Sequence, residues 1–447
     1  MQSKIIFLAT ARTPFGRLGG ALASLPATVL GGEAIRAAVK RSKLDPGEVE
    51  HVIMGQVLQG GAGQAPARQA AYNAGLAKTI TFETINKVCA SGMIAIVHGA
   101  RLIDDGEASV VVAGGMESMS NAPYAALSAR FGYRFGDGVL VDLMNYDALV
   151  DPWSRMTMAQ AQSKVNADLK ITREVQDEFA FNSHARAAKA TADGTLSGEI
   201  VALKVATKAK GKLVVDEIPA QTRARVPVHA GGNGATASRI WGHESTDELV
   251  PNPKRFTPYV TGDVPFTLVD KDEPIRGDSS LESMAKLQPL DKDGTVTAGN
   301  APGVNDGAAA VVLASDEYAR RNGYEALGQI VGHAAAAWDP AYLALTPAMA
   351  AQKLLDKHNL KPIDIAIWEV NEAFAAVAWS TANLLGLDPK SINLQGGAVA
   401  FGHPVGASGA RITASVIHQL RRRGGGYGIA AICSGGGQGD AVLIKVD

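Results

Sequence analysis

The chain predicts an α/β protein made of two similar halves, on three observations. Short β-branched apolar runs alternate with longer helical patterns, one ordered set of elements occurs near each end, and a region of different composition separates the two sets. The N-terminal IIFLATAR reads as a strand running into a turn. HVIMGQVL is a strand and QAPARQAAYNAG a helix. SGMIAIVHGARLIDD, apolar on nearly every face, predicts a core helix between layers. ASVVVAGG is again a strand, as is IAIWEV ahead of the helical NEAFAAVAWSTANLLG. Strands this continuously apolar predict burial on both faces in a largely parallel sheet.

The repetition is ordered. Gly55, closing a strand, stands nine residues after Pro46, and Ser91 of Cys-Ala-Ser-Gly 45 residues after it. Asn371, at the end of IAIWEV, stands nine residues after Pro362, and Ser408 of Gly-Ala-Ser-Gly 46 residues after it. Each Ala-Ser-Gly precedes a helix and then a strand closing on paired glycines, Gly114-Gly115 and Gly435-Gly436. Two halves built alike pack about a pseudo-twofold axis, which brings equivalent loops face to face.

The division that follows is a first half over residues 1–120, completed by 303–326, a middle lobe over 121–302, and a second half over 327–447. Within the lobe, Val228 to Phe266 is a long loop-rich stretch, read as an elaborated surface or as a lid. Its His229 and His243 have no partner at ligand spacing, so no metal is expected.

Lys and Arg total 43 against 44 Asp and Glu, a balance that argues against a nucleic-acid partner. The apolar runs are shorter than the roughly 20 residues of a membrane span, and neither terminus shows a targeting pattern, so a cytoplasmic protein is expected. Two cysteines, Cys89 and Cys433, fit a reducing compartment.

Those cysteines are also the first candidates for chemistry. Cys89 stands at a loop-to-helix junction, where free N–H groups lower a thiol's pKa. It is a nucleophile or a small buried hydrophobe. Cys433 ends a strand before Ser434 and three glycines. Under the duplication, its loop and that of Cys89 occupy related positions, so the chain's two thiols meet. His403, in the glycine-rich FGHPVGASG, is either a base for a nearby thiol or a satisfied structural group. Asn371 caps a helix, orients a water or polarises a carbonyl oxygen.

NKVCASGM, GGMESMSNAPY, TAGNAPGVNDGAAA, NEAFAA, GGAVAFGHPVGASGARI and CSGGGQGDA, in this order, resemble the thiolases, in particular acetyl-CoA acetyltransferase and 3-ketoacyl-CoA thiolase. The resemblance implies two αβα halves in a five-layered core, with an inserted loop domain supplying much of the coenzyme A site. It implies that Cys89 attacks the acyl thioester, that His403 takes its proton, and that Cys433 is the acid/base on the second substrate. His403 with a water held by Asn371 stabilises one oxyanion, and the N–H groups of Cys89 and Gly435 the other. Met158, Arg276, Ala301, Pro302 and Gly303 fall on coenzyme-binding segments. Pro302 replaces the family's usual serine, and Thr157 the usual histidine before Met158. The implied reaction is reversible Claisen condensation and thiolysis through an acyl-cysteine. Acyl-CoA and CoA are substrate and product, no resident cofactor is needed, and the implied assembly is a homodimer or homotetramer. A decarboxylating synthase pairs one cysteine with two histidines, a non-catalytic acyl-CoA or lipid-binding relative lacks part of the triad, and a cysteine hydrolase releases acid without CoA.

Overall fold

The computed structural model describes residues 4–206 and 265–447. Contacts divide the chain into a large unit, residues 1–205 and 268–447, and a small unit, residues 206–267, which falls almost wholly outside the described residues. The proposed surface or lid of Val228 to Phe266, with His229 and His243, falls there too, apart from Pro265 and Phe266.

Nine strands form the backbone of a ten-stranded sheet. In chain order they are β1 (Ile5–Arg12), β2 (His51–Gly55), β3 (Thr81–Ile85), β4 (Val110–Ser118), β5 (Asn305–Ser315), β6 (Gly328–Ala337), β7 (Ile365–Val370), β8 (Gly426–Ser434) and β9 (Gln438–Val446). Across the sheet the order is β7-β8-β9-β6-β1-β5-β4-β2-β3. Outward from the centre, β1-β5-β4-β2 and β6-β9-β8-β7 are one topology written twice. The pairing directions agree as well: two antiparallel pairs and then a parallel one in each half. The halves join where β1 and β6 pair antiparallel, Ile6 opposite Gln329. Pro46 and Pro362 each open a short 3₁₀ turn leading into the equivalent strands β2 and β7.

The sheet is mixed and mostly antiparallel, which corrects the largely parallel expectation. Continuous apolarity reports that both faces of a strand are covered, and helices cover both faces here whatever the strand direction. Along β1, Ile5 and Phe7 face one apolar cluster, Ile6 and Leu8 another. Three clusters define five layers. Helices α1 (Ala27–Ser42) and α2 (Pro66–Asn73) cover the outer face of the first half. Helix α3 (Ser91–Asp104) shares the central cluster with the C-terminal helix Ser408–Arg423 and with inward residues of both half-sheets. The outer face of the second half takes Thr346–His358 and Ala375–Leu384. In chain order these become α6 (Thr346–His358), α7 (Ala375–Leu384) and α8 (Ser408–Arg423), after α4 (Met158–Asp168) and α5 (Arg173–Ala192) of the middle region.

The repeated Ala-Ser-Gly explains how α3 and α8 meet. A Cβ on Gly92 would lie 2.8 Å from the Gly406 carbonyl oxygen, and one on Gly409 would lie 2.6 Å from the Met93 nitrogen. Each glycine opens the first turn of its helix to the other helix, so the two N-termini converge at the pseudo-twofold axis. The middle region is tied to β1 through buried Arg12, whose guanidinium donates to both oxygens of Asp272 at 2.7 and 2.8 Å.

Candidate active site

The site forms where the loop after β3 meets the loop after β8. Between β3 and α3, Val88 has φ 44°, in the left-handed region that a β-branched residue rarely occupies. Its neighbours hold it there. The Val88 N–H donates to Asn86 Oδ1 at 3.0 Å, the Ser91 hydroxyl donates to the Val88 carbonyl at 2.6 Å, and the Lys87 N–H donates to Ser91 Oγ at 2.9 Å. This twist sets Cys89 at the mouth of α3. From the other half, the Ser434 hydroxyl donates to the Lys87 carbonyl at 2.6 Å. The Gly435 N–H and Cys89's own N–H both act on the Cys89 sulfur, and that sulfur in turn raises the pKa of the Cys433 thiol. Two residues 344 positions apart thus converge, though not on equivalent loops: Cys89 precedes α3, whose counterpart is α8, while Cys433 lies at the end of β8, whose counterpart is β4.

Their protonation differs from the sequence expectation. Burial pushes the Cys89 thiol up to about 12, against the downward pull of the Gly435 and Cys89 N–H groups; the Glu117 carboxylate adds to the rise. The residue keeps some exposed surface, but its thiol is poorly solvated, and desolvation outweighs the helix N-terminus. Burial raises Cys433 well above the ordinary thiol range. Both cysteines are therefore neutral thiols in the free protein.

His403 is buried in the glycine-rich loop before α8. The Ser408 hydroxyl lies 2.6 Å from its Nδ1 and donates to the Pro404 carbonyl at 3.1 Å. With that hydroxyl hydrogen on Pro404, Nδ1 carries the imidazole proton and donates to Ser408 Oγ. Nε2 is left as a bare acceptor, and it has no hydrogen-bond partner among the described residues. Burial first, then Arg411, lowers His403 to about 4, so the ring is neutral. Its backbone is fixed by Asn305, whose Oδ1 accepts from the His403 N–H at 2.8 Å. The same side chain fills the space beside Gly402, where φ is 100° and a Cβ would come within 2.5 Å of Asn305 Cγ. Val405, two residues on, packs with Val57, Val88 and Cys89 in one apolar patch, bringing the histidine loop to Cys89.

Asn371 follows β7 directly, and its N–H donates to the Ala431 carbonyl beside Cys433's strand. It does not cap α7, whose first turn begins after Phe374. Its amide is fully buried, yet neither Oδ1 nor Nδ2 has a partner among the described residues. A buried primary amide left free at both ends is matched to a polar guest.

Two buried acids brace these loops: Glu117, which the sequence reading does not single out, and Glu372, read from the sequence only as a cap beside Asn371. Glu117 accepts from the N–H groups of Val57, Leu58 and Gly406 at 3.0, 3.2 and 3.0 Å. Glu372 accepts from Ser183, Asn393 and Val399 at 2.7, 2.8 and 3.0 Å. Desolvation raises both carboxyls, Glu117 to about 7. Each acid follows an apolar strand run, VVVAGGM for Glu117 and IAIWEVN for Glu372, which is the signal in the sequence that marks them.

The residues on coenzyme-binding segments are scattered. Met158, opening α4 behind a Thr157–Gln160 capping box, and Ala301 pack in the apolar cluster that contains Cys433. Pro302 is half-buried and Gly303 exposed. Arg276 lies elsewhere, against α5. Its backbone N–H donates to His184 Nδ1, its guanidinium lies 3.1 Å from His184 Nε2, and it donates to the Ala298 carbonyl.

Two thiols, a neutral buried imidazole with a bare nitrogen and an unpaired amide, held between duplicated αβα halves, define an acyl-transfer site of the thiolase kind. The family model of the thiolase N-terminal domain matches residues 5–227 and 246–317, and that of the C-terminal domain residues 324–446. The chain belongs to the thiolase family. Residues 228–245 lie outside both matches. Among similar proteins are a probable acetyl-CoA acetyltransferase of Mycobacterium leprae, 40% identical over 441 residues, covering 98% of each chain. Acetyl-CoA acetyltransferase 2 of Arabidopsis thaliana is 39% identical, covering 99% of this chain and 97% of its own. The acetyl-CoA acetyltransferase of Shinella zoogloeoides is 40% identical, covering 100% of both.

Proposed function

We propose that this protein is an acetyl-CoA C-acetyltransferase, joining two acetyl-CoA into acetoacetyl-CoA and CoA and running the reverse thiolysis through an acetyl-Cys89 intermediate. The observation that carries it is the meeting of the Cys89 loop with the end of the Cys433 strand, where the Ser434 hydroxyl donates to the Lys87 carbonyl and Gly435 packs on Val88. Claisen chemistry needs an acyl carrier and a base at the α-carbon in one pocket, and two sulfurs meet both needs.

In the first half-reaction Cys89 attacks the acetyl-CoA carbonyl as its proton passes to His403 Nε2. The oxyanion collapses, the carbon–sulfur bond to CoA breaks, and CoA leaves with the proton from His403. In the second, Cys433 passes its own proton to His403, which later gives it to the departing Cys89 sulfur, and as the thiolate it removes the α-proton of another acetyl-CoA. The resulting carbanion attacks the acetyl-Cys89 carbonyl, and Cys89 departs. Thiolysis reverses these steps, and a neutral Cys433 is then ready to protonate the leaving carbanion. Asn371, with both amide atoms free, suits the holding of a water aimed at one thioester oxygen; the Gly435 N–H suits the other oxyanion.

Acetyl transfer from radiolabelled acetyl-CoA tests the assignment. Cys89→Ala should take up no label, while Cys433→Ala takes it up but makes no acetoacetyl-CoA. Condensation by the Cys433→Ala protein would sink this division of roles, and release of free acetate without CoA would indicate a hydrolase. Thiolysis of a 3-ketoacyl-CoA series gives the chain length and tests a part in fatty-acid β-oxidation.

The proposed working form is a cytoplasmic homodimer or homotetramer. Support comes from the exposed apolar side chains of Tyr124, Leu127, Phe131, Phe135, Val139 and Leu140, which a neighbouring subunit would cover. Light scattering on the purified protein decides the stoichiometry, and a monomer would remove the assembly.

A further inference from the structure

The nucleophile loop carries a buried ion pair that the reaction above does not use. Lys87 Nζ lies 2.8 Å from Oδ1 and Oδ2 of Asp440, and His333 Nε2 lies 2.9 Å from Oδ1. The Asp440 carboxylate is wholly buried. Asp440 belongs to β9 and stands opposite Ile432, the residue before Cys433, on the inward face of the second half. Lys87 belongs to the first half, two residues before Cys89. One ion pair therefore ties the loop of Cys89 to the strand that pairs with that of Cys433.

We propose that Lys87 and Asp440 are a positioning pair that holds the loop of Cys89 in its twisted form and so keeps Val88 and Cys89 against the Ser434-Gly435 turn of the other half. The inference rests on Cys89 as the nucleophile. Val88 at φ 44° does not stay in that conformation unaided, and the bonds that over-determine it converge on Lys87. The Lys87 N–H is bound to Ser91 Oγ, its carbonyl accepts from Ser434 Oγ and from the Ala90 N–H, and its side chain reaches Asp440. Two of these ties, those to Ser434 and Asp440, come from the other half. The Ser434 bond alone fixes a point; with the ion pair, the loop is held at two points and cannot pivot. Val88 transmits the constraint directly, because a Cβ on Gly435 would lie 3.1 Å from its Cγ1. If the loop relaxes to negative φ at Val88, the sulfur swings away from the N–H that favours its thiolate.

Iodoacetamide alkylation, followed at the Cys89 and Cys433 peptides by mass spectrometry, tests this on the full-length protein whether or not it condenses acetyl-CoA. Lys87→Met and Asp440→Asn should each slow alkylation at Cys89 about ten-fold at fixed pH, the effect of about one pKa unit on a thiolate. Lys87→Arg, which keeps the charge, should restore most of the rate. With acetyl-CoA the same variants should lower kcat while leaving KM within about two-fold. An unchanged Cys89 rate in both Lys87→Met and Asp440→Asn overturns the proposal. So does faster alkylation of both thiols, which would show that the pair only keeps the fold closed. Absence of acetyl uptake by the unsubstituted protein would instead remove the acyltransferase reading and leave the alkylation result standing.

Discussion

His403 Nδ1 lies 2.6 Å from Ser408 Oγ, and that hydroxyl in turn donates to the carbonyl of Pro404. The serine thus fixes which ring nitrogen is protonated, and leaves Nε2 bare. Ser91 plays the matching part in the first half, clamping Lys87 and Val88 beside Cys89. The repeated Ala-Ser-Gly places one serine behind Cys89 and one behind His403. Ser408→Ala should lower kcat for thiolysis about 10²-fold with KM little changed, since the base loses its preferred tautomer while the substrate surface is untouched. Steady-state kinetics with acetoacetyl-CoA give the ratio, and an unchanged kcat would remove the serine from this role.

The thiol and the imidazole are shifted in opposite directions, Cys89 up to about 12 and His403 down to about 4. A preformed thiolate–imidazolium pair is therefore disfavoured in the free protein, and proton transfer must accompany attack on the acyl group. Alkylation of Cys89 by iodoacetamide should keep rising with pH beyond 9, without a plateau near neutrality. His403→Ala should leave this alkaline rise in place while acetyl transfer from acetyl-CoA collapses. A plateau near pH 7 in the unsubstituted protein would mean that the ion pair exists at rest.

Gly409→Ala tests the crossing of α3 and α8. The added Cβ would come within 2.6 Å of the Met93 nitrogen and 2.8 Å of its Cβ, so one helix must move. Overpacking of this kind costs about 1–3 kcal/mol. The shift displaces the first turn of α3, next to Cys89, so acetyl transfer should fall together with the denaturant midpoint. Normal activity in a destabilised variant would separate the helix contact from the site.

Much of this arrangement was legible in the sequence because a duplicated fold repeats its marks at fixed intervals. Pro46 and Pro362 and the two Ala-Ser-Gly segments map onto equivalent positions of one topology, whereas the paired glycines do not: Gly114-Gly115 lie inside β4 and Gly435-Gly436 beyond the end of β8. Strand direction was not legible, since apolar runs register burial alone. The Cys89 shift was misjudged for a related reason. A helix N-terminus is visible in sequence, whereas the desolvation that outweighs it is set by Val57, Leu58 and Val405 arriving from distant loops. Glu117 and Asn305 escaped attention because they accept from backbone N–H groups 59 to 289 residues away, which no local pattern announces.

Glu117 gives the pH prediction. Its carboxylate accepts three backbone N–H groups, including that of Gly406 in the histidine loop, but burial outweighs them and raises it to about 7 from an ordinary 4.5. Between those values the native state keeps a proton that the unfolded chain has released. The group's contribution is therefore fully present below pH 4.5 and is lost as pH rises to 7, by about 3 kcal/mol if the whole shift is realised. Glu117→Gln removes the titration and sets an amide NH2 against N–H donors, destabilising the protein by about 1–3 kcal/mol at the outset. The stability difference between unsubstituted protein and variant should be largest near pH 4.5 and shrink toward pH 8. His403 and Glu369 also titrate across this range, but both proteins contain them, so their slopes cancel. Guanidinium unfolding of both proteins at pH 5 and pH 8 measures the change. An equal difference at the two values would show that Glu117 is ionised throughout, its three N–H donors prevailing over burial.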